Sequence, residues 1–280
     1  MNDESLPLSL EELPATWVDE LQFARPRDLL RLIRHMRGKK HRAVPPATMD
    51  GIDAVPTYLL AEYHGLPNGY FSKHFTHGYI RTFDKVMLGN MTKLRERIAT
   101  NFSGYERVLD IGCGGGEQAG ALASAGIPDV HAIDASPYMV AHAKASFPHI
   151  PFAVRAAENT GYQDAEFDAV CLSFVFHEIP PKFAEQAIAE IHRILKPGGE
   201  LIIAEPSALQ VQLPLRELFR RFGWRGLYFR LLAKHMYEPF VVPWQARNQV
   251  EWLSQHGFSL LEQEQSCPIH WWRAKKQLVA

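Results

Sequence analysis

Val108-Leu-Asp-Ile-Gly-Cys-Gly-Gly-Gly-Glu117 places an acidic residue and three alternate glycines where a hydrophobic strand becomes a helix. Residues 106–111 read as a short buried strand and 117–125 as a helix of small residues, which leaves Gly112, Gly114 and Gly116 in the turn between them. Glycine there tolerates positive φ and lets a ligand approach the backbone without meeting a Cβ. The dinucleotide fingerprint G-x-G-x-x-G uses the same logic, but it differs in spacing and has no carboxylate two residues ahead of its first glycine. Asp110 is that carboxylate. It would repel a pyrophosphate, so the loop suits a nucleoside ligand that carries positive charge.

Three later segments extend this reading. Val130-His-Ala-Ile-Asp134 reads as a second strand ending in an acid, ahead of a helix at 136–146. A carboxylate at that strand end can accept both hydroxyls of a ribose, as the acidic residue of nucleotide-binding α/β sheets does. Ala156-Ala-Glu-Asn159 follows a third strand at 150–155. Phe167-Asp-Ala-Val-Cys-Leu-Ser173 reads as a fourth strand. A helix at 182–195 and Lys196-Pro-Gly-Gly-Glu-Leu-Ile-Ile-Ala204, a turn into a β-rich run, come after it. In this order and at these separations the segments resemble the class I S-adenosylmethionine-dependent methyltransferases, whose first motif reads roughly hydrophobic-hydrophobic-Asp/Glu-x-Gly-x-Gly-x-Gly. The resemblance covers 106–206 closely and the chain from 245 onward more loosely. The donor of that family suits the loop, because its amino-acid part carries an ammonium and its sulfonium is also positive.

The resemblance implies S-adenosyl-L-methionine as the cofactor. It would be held by Asp110, Gly112, Cys113, Gly114 and Gly116 in the first loop, Asp134 and Ala135 after the second strand, Ala157 and Glu158 after the third, and Ser173 after the fourth. Asp134 takes the ribose. The family often reads Asp-Ala-Glu where this chain has Ala156-Ala-Glu158, and uses the Asp to accept the adenine amino group; here Glu158 or a nearby backbone carbonyl must replace it. The implied fold class is α/β: a seven-stranded, mostly parallel sheet with helices on both faces, in the order 3-2-1-4-5-7-6 with the seventh strand antiparallel. A helix at 245–256 and strands at 258–265 and 269–278 complete it. A helical N-terminal cap over residues 1–95 and a helical insertion at 207–244 flank and interrupt the methyltransferase domain, expected at 96–280.

A chain of 280 residues with 46% apolar content can build a large buried core. Its formal charge of -1 gives no global pull toward nucleic acid, so no stable nucleic-acid binding is expected. Cys113, Cys171 and Cys267 lack metal-ligand spacing and His177-Glu178 does not continue as H-E-x-x-H, so no metal is expected. No signal peptide or long apolar span is visible, and the expected location is cytoplasmic. An acidic run over 1–20 and a basic run over 25–42 can pair. Leu29, Leu30, Ile33 and Met36 recur at helical spacing among Arg27, Arg31, Arg34 and Arg37, which predicts an amphipathic helix with a solvated face.

The segment from Tyr63 to Tyr79 is dense in aromatics and histidines. In many small-molecule members of the resembled family the chain ahead of the first strand folds over the cofactor and closes the acceptor site. Tyr70, His74, His77 and Tyr79 are therefore candidate pocket residues, with Phe174 from the fourth strand, and ordinary helix packing is the alternative for each. Tyr70 and His74, at i and i+4, can share one helix face. Phe176-His-Glu-Ile-Pro-Pro181 follows the fourth strand, the position from which this fold addresses the acceptor. His177 and Glu178 are thus the candidate bases, although the imidazole can equally brace the loop. Nucleobase and amide amino-methyltransferases typically carry Asn/Asp-Pro-Pro-Tyr where this chain has Ser173-Phe-Val-Phe176, which argues against that chemistry. The expected function is methyl transfer to a small-molecule acceptor, an in-line displacement that needs alignment above all. The insertion at 207–244 follows a strand's C-terminal end, where open α/β sheets bind ligands, and reads as a lid. The alternative is that its arginine-aromatic mixture over 213–232 forms an interfacial helix, which keeps open methylation of a lipid or quinone head group with peripheral membrane contact. A non-catalytic S-adenosylmethionine-binding regulatory subunit is the reading from another class. Methylation of RNA or protein rests on the 25–42 run alone.

Overall fold

A computed structural model describes residues 9–37, 42–45, 55–236 and 238–278, the side chain of Arg37 excepted. Seven strands form one sheet: β1 (Arg107–Ile111), β2 (Asp129–Asp134), β3 (Phe152–Val154), β4 (Phe167–Ser173), β5 (Leu195–Pro206), β6 (Phe258–Gln265) and β7 (Ile269–Lys276). Their order is β3-β2-β1-β4-β5-β7-β6, with β7 antiparallel to both its neighbours, as expected from the motif order. The described helices are α1 (Pro26–Arg37), α2 (Lys73–Val86), α3 (Asn90–Asn101), α4 (Glu117–Ser124), α5 (Pro137–Ser146), α6 (Pro181–Ile194), α7 (Leu209–Gln212), α8 (Leu215–His235), α9 (Val241–Ala246) and α10 (Gln249–Gln255).

A strand buried on both faces reads as a continuous apolar run, and the two-residue period of the strand decides which layer each side chain joins. Val108 and Ala132 pack with Met91, Leu94 and Ile98 of α3, Leu122 of α4 and Val140 of α5. Leu109, Ile111, Ile133, Val170 and Leu172 face the other way, onto Ala184, Ile188 and Ile191 of α6 and Trp252 and Leu253 of α10. Trp271 and Trp272, each 1% exposed, split between the layers. Full burial of an Ile or Leu side chain stabilises the fold by roughly 1.5–3 kcal/mol, so these two layers dominate its energetics.

The cap departs from expectation in two places. Ser72 is extended and its hydroxyl accepts the Phe75 N–H, which caps α2 and starts it at Lys73. Tyr70 therefore precedes the helix and does not share a face with His74. The expected boundary at 95/96 falls inside α3, whose buried face belongs to the core beneath the sheet. Within the cap, Asp19 accepts the Ser72 hydroxyl and the His74 N–H rather than meeting the basic run. The part of the acidic run over 1–8, and residues 38–41 of the basic run, lie outside the described residues. The insertion after β5 is helical, as anticipated: α7, α8 and α9.

Candidate active site

The C-terminal ends of β1, β2 and β4 open into one cleft of about 1130 Å³, continuous with solvent. At the end of β1 the chain turns sharply. The N–H groups of Gly112 and Cys113 both donate to the Ile133 carbonyl of β2, at 2.8 and 3.0 Å, which clamps the loop against its neighbour strand. Gly112 has φ +71, and a Cβ there would lie 2.4 Å from Val175 Cγ2, so only glycine lets the loop after β4 come this close. Gly114 has φ +53 with open space in front of it, and its N–H donates to Asp134 Oδ2 at 2.9 Å. The first loop and the acid closing β2 are thereby fixed relative to each other, with Asp134 Oδ1 accepting the Ser136 N–H at 2.8 Å.

Several polar groups along this cleft are buried without a protein partner. Asp110 is 1% exposed; its Oδ1 meets the Cys171 thiol at 3.6 Å, while its Oδ2 has no partner. Both amide atoms of Gln118, the second residue of α4, are unpartnered, as is Ser173 Oγ at the end of β4. Buried polar atoms are normally paired, and leaving one unmade costs roughly 1–3 kcal/mol, so three such side chains around one cleft indicate a polar ligand. Burial pushes the Asp110 carboxyl up to about 7. It pushes Asp134 to about 6, against the hydrogen bonds from Ser136 and Gly114. Arg95 of α3 also lines the cleft, with Nη1 2.6 Å from Asp84 Oδ2.

Beyond the cleft lies a second, more apolar chamber of about 510 Å³ between α2, α8 and the end of β5. Tyr79, Phe83 and Phe174 line both spaces and form the wall between them. Phe229, Leu232 and Ala233 of α8, with Met236 just past its end, supply its far side. At the junction sits a charged cluster. Glu178 Oε1 accepts the Tyr70 hydroxyl at 2.8 Å and lies 2.7 Å from His64 Nε2. His64 Nδ1 is 3.6 Å from Glu238 Oε1. Burial opposes ionisation of Glu178, yet the His64 and Tyr70 hydrogen bonds and the charge of His177 prevail and hold it below the usual carboxylate range. His177 is fully buried, with Nδ1 2.6 Å from Glu205 Oε2. Burial opposes its protonation too, but the charges of Glu205, Glu238 and Glu178 prevail and raise its pKa, which favours the protonated ring. Glu205 also accepts the Val175 and Phe176 N–H groups at 2.9 and 2.7 Å, which ties the loop after β4 to the end of β5.

The residues singled out from the sequence divide accordingly. Asp110, Gly112, Cys113, Gly114, Asp134, Ala135, Ala157, Ser173, Tyr70, Tyr79, Phe174 and Glu178 all line the cleft. Gly116 does not; it starts α4 from below, where a Cβ would strike Phe152 at 2.9 Å. Glu158 stands behind the wall and accepts the Tyr58 hydroxyl at 2.9 Å, so Tyr58 rather than Glu158 faces the cleft. His74 and His77 lie on the exposed side of α2, because the capping at Ser72 turns that face outward; His74 pairs with Asp19 at 3.2 Å and His77 packs at a tilt against His142. His177 lines neither space. Arg95, Gln118, His64, Glu205 and Glu238 escaped sequence reasoning. Glu205 alone carried a signal: a carboxylate ending the apolar run Leu201-Ile-Ile-Ala-Glu205.

The methyltransferase domain family matches residues 109–203. A demethylmenaquinone methyltransferase from Beutenbergia cavernae is 36% identical over 132 residues, covering 46% of this chain and 53% of that protein. A ubiquinone biosynthesis O-methyltransferase from Xylella fastidiosa is 28% identical over 229 residues, covering 79% of this chain and 85% of that one. An uncharacterized methyltransferase from Synechocystis is 38% identical over 94 residues, 34% of this chain and 44% of its own. The chain thus spans about half the length of the more identical relatives. Among solved structures, a protein from Pyrococcus horikoshii OT3 superposes with a TM-score of 0.53 at 19% identity, covering 68% of this chain and 92% of that one. A methyltransferase from Methanosarcina mazei reaches 0.50 at 20% identity, covering 65% and 98%. These two likenesses concern the fold. Strand order, glycine loop, acid at the end of β2 and domain match converge: residues 109–203 carry a methyltransferase domain, set in a sheet with the strand order of the class I S-adenosylmethionine-dependent methyltransferases.

Proposed function

We propose that this protein transfers a methyl group from S-adenosyl-L-methionine to a small-molecule acceptor with an apolar, ring-shaped body. One observation carries the reading: a cleft edged by unpartnered buried polar groups adjoins an apolar chamber across the shared wall of Tyr79, Phe83 and Phe174. The polar groups suit the donor by chemistry. Asp110 answers an ammonium, Arg95 and the Gln118 amide answer a carboxylate, and Asp134 accepts ribose hydroxyls. Ala135 and Ala157 leave room for a flat base, and the Tyr58 hydroxyl oxygen, which faces the cleft, can accept in place of the absent Asp at 156. When bound, the cofactor supplies an electrophilic methyl.

The acceptor belongs in the apolar chamber, with its reacting atom at the charged junction. Glu178, ionised and facing the cleft, takes the acceptor proton, and its hydrogen bonds with Tyr70 and His64 hold it in place for that role. His177 lines neither space and is paired with Glu205, so in this reading it positions Glu178 and the loop while Glu178 acts as the base. Two of the relatives are named for demethylmenaquinone and ubiquinone biosynthesis, which supports a quinone-like ring as acceptor.

The test is S-adenosylhomocysteine release across a panel of hydroxylated benzoquinols, naphthoquinols and simple phenols. Turnover that depends on the ring compound supports the reading. Tight S-adenosylmethionine binding with no release across the panel would favour a non-catalytic regulatory subunit and count against transfer.

A further inference from the structure

Helix α8 has two working faces. Its inner side lines the apolar chamber with Phe229, Leu232 and Ala233, with Met236 just past its end, and Tyr228 anchors it by donating its hydroxyl to the Val86 carbonyl of α2 at 2.8 Å. Its outer side is unusual for a protein surface. Leu215 and Phe219, four residues apart, are 57% and 55% exposed before the backbone break at Gly223. Trp224, Leu227 and Leu231, at i, i+3 and i+7, are exposed after it, Trp224 at 61%. Exposed apolar side chains scattered singly need no explanation, whereas a pair on the segment before Gly223 and a trio on the segment after it, five within 17 residues, do.

The charge around the row is strongly one-sided. Arg216, Arg220, Arg221, Arg225, Arg230 and Lys234 stand against Glu217 alone within α8, in a chain whose formal net charge is -1. Arg216, Arg220, Arg221, Arg225 and Lys234 are exposed with the apolar row, and Arg225 also reaches the Leu88 carbonyl at 3.1 Å. Solvation alone calls for no Trp and Phe among these cations. A nucleic acid would use the cations and leave the leucines in water. An anionic bilayer uses both, since the apolar row sinks to the level of the acyl boundary while the guanidinium groups stay among phosphate head groups. No described helix is long and apolar enough to cross a membrane, which is consistent with a helix that lies on one.

We infer that α8 docks this protein on an anionic lipid bilayer, its outer face seated at the head-group boundary and its inner face roofing the acceptor chamber. Docking places the chamber against the bilayer, so an apolar acceptor dissolved in lipid enters without crossing bulk water. The delivery clause rests on the methyl-transfer reading, whereas the docking itself does not.

Co-sedimentation of the full chain with sucrose-loaded vesicles, pure phosphatidylcholine against phosphatidylcholine with one-third phosphatidylglycerol, tests it. Binding to the anionic vesicles at low salt is expected, at least tenfold tighter than to neutral ones and weakened by added salt. The pair Phe219→Ser and Trp224→Ser should reduce partitioning about tenfold, and so should Arg216→Gln with Arg221→Gln. Brominated lipids should quench the wild-type protein and not Trp224→Phe. Absence of binding at low salt, equal binding by all variants, or light scattering that shows a second copy covering this face would overturn the inference. S-adenosylhomocysteine affinity measured on the same variants should stay at the wild-type value. Loss of vesicle binding with intact cofactor binding therefore separates this surface from the methyl-transfer reading.

Discussion

Cofactor binding should depend on pH through two buried carboxyls, and the size follows from where burial has moved them. Asp110 titrates near 7 and Asp134 near 6 in the ligand-free protein, both raised because the charged form is poorly solvated. An ammonium against Asp110 and hydroxyls against Asp134 favour the ionised carboxylates, so binding expels whatever protons they hold. Affinity must then rise with pH until both groups are ionised in the free protein. A free α-amino group ordinarily titrates at about 7.7–8.0, so loss of the ligand's own charge sets the upper limb. Combining the three titrations, affinity should increase roughly tenfold from pH 6 to pH 7.5 and fall again above about pH 8. About one proton should leave on binding at pH 6.5. Asp110→Asn should weaken binding and flatten the rising limb to within about twofold, because only Asp134 still titrates. Titration calorimetry in two buffers of different ionisation enthalpy reads both affinity and proton release. A wild-type affinity constant from pH 6 to 7.5, or a limb that survives in Asp110→Asn, would refute the assignment of Asp110 to a cation.

Asp134→Ala should weaken S-adenosylmethionine binding by roughly 1–3 kcal/mol, the usual cost of losing a charge-assisted hydrogen bond, and an unchanged dissociation constant would remove it from the ribose. Glu178→Gln should lower kcat by about 10²- to 10⁴-fold with little change in cofactor affinity, as expected of a lost general base. His177→Ala should lower turnover more than cofactor affinity by releasing the loop after β4. Equal turnover at saturating acceptor would show that Glu205 holds the loop unaided.

The parallel sheet was legible because each of its strands is announced locally. The apolar run of Val108 to Ile111, the glycines that follow and the acid at 134 depend on neighbours within a few residues or on one strand pairing. The cleft-lining positions that the same local signal announces, from Asp110 to Ser173, were legible with it. Arg95 and Gln118 were not, because an Arg or Gln on a helix is ordinarily a solvated face, and only the packed fold brings these two to the cleft. The cap misled for a related reason. The histidines near 74 looked like pocket residues by density, yet the hydroxyl of Ser72 sets the phase of α2, and that phase sends Tyr79 inward and His74 and His77 outward. His64, outside the helix, reaches the junction instead, with φ +55 at a position where a left-handed backbone is uncommon for a non-glycine residue.

The same kind of strain marks the wall between the two chambers. Phe174 has φ +62, a conformation that costs a bulky residue on the order of 1–3 kcal/mol and persists only when its surroundings over-determine it. Here they do. The Phe174 N–H is held by the Ala204 carbonyl at 2.8 Å, and the next two N–H groups converge on one oxygen of Glu205. Glu205 carries no exposed surface, and the His177 ring beside it, favoured in its protonated form, removes the need to bury that charge alone. The ion pair at the end of β5 therefore fixes the backbone turn at Phe174, the turn aims the ring edge-on at Phe83, and the ring separates the polar cleft from the apolar chamber. On this account the ion pair acts on the reaction through geometry. It sets where the polar cleft meets the apolar chamber, whereas the proposed proton acceptor is the neighbouring Glu178.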